Sequence, residues 1–282
     1  MTRIDRDMAA ASFASNGYLV VPGLCGEAIL ERMRRQVLKD LDAAVGPVEY
    51  EAEVGYPGAP AQRTAPGGQT IRRLRDAIAR DAVFLQWALS ETLTEWARLL
   101  LARRDIRLVR AHHNCIMTKH PDFSSATGWH QDTRYWSYRR ADLVNAWTAL
   151  GHESADNGGM RVIPGSHRQV FGSGCFDGEQ FFRDDLAANR ALIARAVQID
   201  LAPGDVLLFH AALLHAAGPN LTRERKFAVV FSYRTADNPP LSGSRSDVFF
   251  DLDPLQPDGF TCPSRGVVEP RGCGVSRAKD GE

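Results

Sequence analysis

Between Asp105 and Arg234 the chain alternates short apolar runs with turn-forming residues, and no helix of the length a βαβ unit needs is read between one run and the next. The runs are "IRLVRAHHNCIM", "VNAWTALG", "GMRVIPGSH", "AVQIDLAPGD", "VLLFHAALLH" and "KFAVVFSYR". Each has the length and residue types of a strand, and "ADNGG", "APGD" and "GPN" supply the turns between them. A parallel doubly wound sheet needs a crossover helix after each strand, so the pattern counts against that architecture. The pattern predicts a mainly β chain with flanking helices, whose core is an antiparallel sandwich or barrel such as a jelly roll.

The preceding residues have another texture. "GEAILERMRRQVLKDLDAAV" carries apolar residues at helical spacing among good helix formers. "IRRLRDAIARDAVFLQWALSETLTEWARLLLAR" reads as one broken helix or two consecutive ones. The segment between them, including Gly46–Gln69, is rich in Gly, Pro and Ala and suits a long loop of the kind that forms lids. With 282 residues and 44% hydrophobic content, the chain can bury a substantial core. The expectation is a single domain, with a mostly helical part over 1–104, a jelly-roll core over 105–235 and an irregular extension over 236–282.

Charge and cysteine usage narrow the function classes. Lys plus Arg number 34 and Asp plus Glu number 34, so no net charge draws the chain to nucleic acid or an anionic membrane. Cys25, Cys115, Cys175, Cys262 and Cys273 are scattered without a CxxC pair, which reads as reduced thiols in a cytoplasmic protein. The run "VLLFHAALLHAAG" is interrupted by histidine and falls short of the ~18 apolar residues of a membrane span.

The chemistry gathers at "GWHQDTRYWS", residues 128–137. Alternation on a strand turns His130 and Asp132 to one face and Gln131 to the other. His215, after an apolar strand and before a turn, is the candidate third partner. Two imidazoles and one carboxylate would fill three positions on one side of an octahedral metal and leave three open, as in non-haem Fe(II) oxygenases. A His-x-Asp pair alone is equally what a surface pair or a satisfied core histidine would show.

Three ordered segments, "WHQD" at 129–132, "NGGMRVIPGSHR" at 157–168 and "PGDVLLFHAALLHAAGPN" at 203–220, resemble the phytanoyl-CoA dioxygenase family. The opening "FASNGYLVVPGLCGEAILERMRRQV" is similar to that family's N-terminal segment. The resemblance implies a double-stranded β-helix of cupin-like type with the N-terminal helices packed on it. It implies an oxidoreductase that uses Fe(II), 2-oxoglutarate and O2 on a small-molecule substrate. His130, Asp132 and His215 correspond to the iron ligands, and an aspartate at 132 favours hydroxylation, with release of succinate and CO2.

Members of the family carry an arginine about eleven positions after the distal histidine to hold 2-oxoglutarate. That position is Lys226 here, with Arg225 one residue earlier. Strand neighbours face opposite ways, so one of the two serves and the other is a solvated base; spacing favours Lys226, residue type Arg225. Lys119 and Trp147 fall where family members contact the cosubstrate. His113 and Met117 share Lys119's face if the strand is regular.

Trp129, Tyr135, Trp136 and Tyr138 either line a substrate pocket or pack beside a strand. His112, His167 and His210 read as structural, His112 with a substrate-facing alternative, and Gln131 or Asn220 as groups that orient the imidazoles. Arg63, Arg72 and Arg73 either meet an anionic substrate or form a solvated helix face. Two alternatives stand beside the oxygenase: a non-catalytic jelly-roll binding protein, and a metal-dependent cupin enzyme that does not use 2-oxoglutarate. Substrate choice is expected in Gly46–Gln69, Phe171–Asp185 and the stretch after Pro239.

Overall fold

The computed structural model describes residues 5–254. In chain order the elements are α1 (Arg6–Asn16), β1 (Tyr18–Val21), α2 (Glu27–Asp42), β2 (Val48–Tyr50), β3 (Ile71–Arg75), α3 (Ala77–Arg80), α4 (Ala82–Ala88) and α5 (Glu91–Leu101). There follow β4 (Ile106–Lys119), β5 (Thr127–His130), β6 (Leu143–Ala149), β7 (Met160–Val162), α6 (Ala187–Ile193), β8 (Val197–Gln198), β9 (Val206–His210), β10 (His215–Ala217) and β11 (Lys226–Thr235). A seven-stranded sheet runs β1-β9-β6-β11-β4-β3-β2 and a four-stranded sheet runs β5-β10-β7-β8. Neighbouring strands in both are antiparallel.

The large sheet is apolar on both faces, which is why its strands read as unbroken hydrophobic runs. On β11, Phe227, Val229, Phe231 and Tyr233 face the helices, whereas Ala228 and Val230 face the smaller sheet. The helix α2 meets that first face with Leu30, Met33, Val37 and Leu41, a stripe at three- and four-residue spacing. Polar atoms in this layer are paired: Trp87 Nε1 donates to Thr148 Oγ1 at 2.9 Å and Tyr233 Oη to the Ala88 carbonyl at 2.6 Å. Asp81 and Ser90 cap the starts of α4 and α5 by accepting from Val83 N and Leu93 N.

Three expectations change. Ile71–Arg75 begins no helix; it is a strand whose Leu74 lies opposite Ile116 of β4, ended by Asp76 in the left-handed region. The rest of that segment is three short helices. "VLLFHAALLH" is two strands rather than one: β9 in the large sheet, a turn at 211–214, and β10 in the small one. The helical N-terminal part also supplies β1, β2 and β3, all toward the edges of the large sheet. Residues of the expected extension beyond 254, with Cys262 and Cys273, lie outside the described residues. Among the described residues Cys25, Cys115 and Cys175 are free thiols, and no helix is long and apolar enough to cross a membrane.

His210 ends β9, and its Nδ1 accepts from Ala212 N at 3.0 Å, which requires an unprotonated nitrogen. Burial pushes its pKa down to about 4, and burial does the same to His120. An unfolded histidine takes up its proton near pH 6.5, so both groups favour the folded state fully above that value and lose the contribution as pH falls towards 4. The melting temperature is expected to fall across that window, and less steeply in His210→Gln. Parallel curves for the two proteins would rule this contribution out.

Candidate metal centre

The smaller sheet assembles the candidate ligands. His130, the last residue of β5, lies directly opposite His215, the first residue of β10. Gln131 stays extended (φ −119°, ψ 129°) before a single 3-10 turn, so the alternation carries on and Asp132 emerges beside His130. The outward Gln131 donates from Nε2 to the Ala212 carbonyl at 2.5 Å, tying this segment to the turn that precedes His215. Ser166 of the "GSH" turn accepts from Leu214 N at 2.9 Å and fixes the other side of that turn. The glycine of "NGG" is needed for closeness: Gly158 has φ +78°, and a Cβ there would stand 2.6 Å from the Gly218 carbonyl.

One donor atom from each of His130, Asp132 and His215 lies within 4.8 Å of the other two. Asp132 Oδ1 is 3.8 Å from His130 Nε2 and 3.9 Å from His215 Nε2. The opposite ring nitrogens are committed: His130 Nδ1 is 2.9 Å from the Gly128 carbonyl and His215 Nδ1 is 2.9 Å from the Leu213 carbonyl. A carbonyl only accepts, so each Nδ1 carries the proton and each Nε2 presents a lone pair to the common point. Asp132 Oδ2 accepts from Asn145 Nδ2 at 2.7 Å, and Asn145 Oδ1 accepts from Ser232 Oγ at 2.5 Å. That relay leaves Oδ1 free to face the imidazoles. Two neutral nitrogens and one carboxylate oxygen suit a divalent first-row metal such as Fe(II).

Electrostatics favour the same protonation states. Burial pushes the His130 imidazole down to about 3 and also lowers His113. Burial by itself would raise the Asp132 carboxyl, but His113, His215, His130 and the Asn145 amide together hold it below the ordinary aspartate range. Ligands that are deprotonated before a cation arrives do not have to release protons to it. Asn145→Ala, which frees Asp132 to rotate, is expected to weaken Fe(II) binding about 10- to 100-fold. A competition titration against a chelator measures this, and unchanged affinity would remove the amide from the account.

The three side chains open into a cavity of about 600 Å³. Of the positions expected from sequence, His113, Met117, Tyr135, Trp136 and Trp147 line it. His113 Nε2 stands 3.7 Å from Asp132 Oδ1. His112 also lines the cavity, stacked on Trp136 at 4.8 Å between ring centroids and 2.7 Å from Ser246 Oγ through Nε2. His210 and His167 pack together near α1, as structural groups.

Other expected positions lie elsewhere. Trp129 alternates with His130 and so turns away from the cavity, packing beside Ile163, Phe176 and Leu214. Arg225 points outward and pairs with Asp42 at 3.2 Å. Lys226 points inward, but its Nζ is taken by Glu153 Oε2 at 2.8 Å, and Glu153 Oε1 accepts from Trp147 Nε1 at 2.8 Å. Lys119 donates to the Ser125 carbonyl, and burial lowers its pKa to about 7. Neither lysine borders the cavity. Asn220 bonds the carbonyls of Lys119 and Glu224, not an imidazole. Arg63 stays exposed on Glu53 and Tyr50, whereas Arg72 and Arg73 do border the cavity.

Sequence reasoning missed Asn145 and Glu153. A fully buried asparagine inside "LVNAWTA" was the available signal, because a polar side chain on an otherwise apolar central strand must have a partner.

Comparison with known proteins follows the same lines. The family model described as phytanoyl-CoA dioxygenase (PhyH) matches residues 13–228. Human peroxisomal phytanoyl-CoA dioxygenase is 26% identical over 240 residues, covering 80% of this chain and 67% of that protein. The crystal structure of EctD from S. alaskensis with 2-oxoglutarate and 5-hydroxyectoine superposes with a TM-score of 0.70 at 20% identity, over 86% of this chain and 80% of that one. The epimerase SnoN in complex with Fe3+, alpha ketoglutarate and nogalamycin RO gives 0.67 at 19% identity, over 85% and 87%. At these identities the structural likenesses establish the shared fold, a cupin-like jelly roll.

Proposed function

Because the chain belongs to the phytanoyl-CoA dioxygenase family of Fe(II)- and 2-oxoglutarate-dependent oxygenases, we propose that it hydroxylates an unactivated C–H bond of a small organic molecule, using His130, Asp132 and His215 as its iron ligands. One observation carries this reading. Each candidate ligand has its second polar atom occupied by a protein partner, so that all three remaining donor atoms face one point. When bound, iron with 2-oxoglutarate and O2 supplies the oxidising power, with succinate and CO2 as co-products.

The protein's own residues orient and enclose. The carbonyls of Gly128 and Leu213 hold the imidazoles in one tautomer, and the Ser232–Asn145 relay fixes the rotation of Asp132. His113, Met117 and Trp147 form apolar and aromatic walls beside the ligands, which limits water around a reactive centre. Tyr135 and Trp136 line the same cavity and are the walls against which the substrate C–H bond is placed.

The substrate is a small molecule that enters this cavity. Relatives of the same fold include an epimerase and a protein crystallised with 5-hydroxyectoine, so the outcome of the oxidation is set by the pocket rather than the fold. A panel of candidate substrates followed by succinate release, with mass spectrometry of each product, tests the proposal. A gain of one oxygen with stoichiometric succinate is expected. Loss of two hydrogens, or a stereochemical change without gain of oxygen, would replace hydroxylation with another outcome.

A further inference from the structure

Glu49, Arg73 and Met117 form one row across three strands. Glu49 of β2 lies opposite Arg73 of β3, and Arg73 lies opposite Met117 of β4. Cross-strand partners share a face of the sheet, and all three residues border the cavity. Further along β4 the lining continues with Cys115 and His113, and His113 Nε2 stands 3.7 Å from Asp132 Oδ1. The row thus sets the Arg73 guanidinium on the wall that leads to the candidate iron ligands. Its charge is felt there: burial lowers the His113 pKa and, against the pull of Asp132, Arg73 lowers it further.

Arg73 has donors without acceptors. Its side chain is 29% exposed, its Nε is buried with no partner, and its terminal nitrogens make no hydrogen bond among the described residues. The carboxylate beside it, Glu49, stands 3.7 Å from Nε and is bonded instead to Arg75 at 2.6 Å. Neighbouring Arg72 differs. Its terminal nitrogens are taken by Ser125 and Thr127, and Glu49 and Glu51 flank it. A buried donor left unmade is costly, and a ligand that supplies the acceptor relieves that cost.

The other acids of the lining are committed. Asp76 accepts from Asn114 Nδ2 at 2.9 Å. Asp132 turns one oxygen to the imidazoles and the other to Asn145. Arg245, an exposed residue after Pro239, also borders the cavity and has no hydrogen bond or ion pair among the described residues. Two guanidiniums with open donors therefore border a cavity in which, among the described residues, every carboxylate is engaged. Val54, Met160, Phe209 and Trp136 add apolar and aromatic surface to the same lining.

We propose that the substrate of this chain is an acid with an apolar body, whose carboxylate or phosphate oxygens are held by Arg73. The proposal rests on the oxygenase reading above. A guanidinium grips such a group through two parallel N–H bonds, which fixes its orientation as well as its place. The anchored end then selects which C–H bond of the substrate stands near the metal.

The test titrates matched pairs that differ in charge: octanoate with octanamide, 4-phenylbutanoate with 4-phenylbutanamide, and phenyl phosphate with phenol. Binding is read by calorimetry, anaerobically, with Fe(II) and 2-oxoglutarate already bound. Wild type is expected to prefer the charged member of at least one pair by about 10- to 100-fold, the worth of buried charge-assisted hydrogen bonds. The pair that shows the preference separates carboxylate from phosphate. Arg73→Met should bring its two members within about threefold, and Arg73→Lys should fall between. Glu49 keeps its bond to Arg75 in both variants, so neither strands that charge.

Each result is a ratio within one protein, so partial loss of folded material affects both members alike. Should Arg73→Met not fold, Arg73→Lys decides, and a preference equal to wild type overturns the proposal. Survival of the preference in Arg73→Met overturns it, as does a wild type that prefers no charged member or binds no pair. A fall in 2-oxoglutarate affinity as large as the fall for the acid would assign Arg73 to the cosubstrate and overturn it too. In each of these cases the wild type still binds iron and 2-oxoglutarate, and the oxygenase reading stands. A wild type that binds neither defeats that reading and the proposal with it.

Discussion

His215→Ala and Asp132→Ala are expected to leave a folded protein with less than about one-hundredth of the wild-type affinity for Fe(II). Residues that only orient a ligand are worth about 10- to 100-fold in metal affinity, and a ligand itself is worth more. Two features make these sites sensitive. Among the described residues three protein donors converge, so losing one leaves two. The neighbouring polar side chain is also committed: Gln131 is bonded to Ala212 on the opposite side. Metal content after equilibration with limiting Fe(II), alongside circular dichroism, measures the effect. Full iron loading of either variant would show that other groups hold the ion.

The second large effect concerns stability. Lys226 and Glu153 form an ion pair whose side chains are 3% and 0% exposed. Removing one partner strands a buried charge, at a cost of about 3–5 kcal/mol. In Lys226→Met, Glu153 would keep only the Trp147 indole, and the melting temperature is expected to fall on the order of 10 °C. Lys226→Met/Glu153→Leu should lose less than the single variant, because no charge remains unpaired. Thermal unfolding of the three proteins decides. A single variant as stable as wild type, or a double variant worse than the single, would mean the pair is not the buried contact described.

What the sequence disclosed follows from how local each signal was. Alternation by two residues placed His130 and Asp132 on one face, and the same rule, applied one residue back, turns Trp129 away from the cavity. It also separates Lys226, inside, from Arg225, outside on Asp42. The strand β3 was hidden, because "IRRLR" consists of residues at ease in a helix and its strand character comes from pairing with β2 and β4. The division of "VLLFHAALLH" between two sheets was hidden as well. Both of its halves are buried, so hydrophobicity alone shows no break. Glu153 lies 73 residues from Lys226, and no spacing rule connects them. Asn145, thirteen residues from Asp132, is joined to it only through tertiary structure.

Tyr135, Trp136 and His112 line the cavity together with Val54 and Tyr56 of the Gly46–Gln69 segment.

The most direct measurement is an anaerobic titration of the wild-type protein with Fe(II) and 2-oxoglutarate, followed by visible absorption. A weak charge-transfer band that saturates at one equivalent of iron per chain, and is absent from His130→Ala, is the predicted result. A wild-type protein that takes up neither iron nor 2-oxoglutarate would contradict the account at its centre.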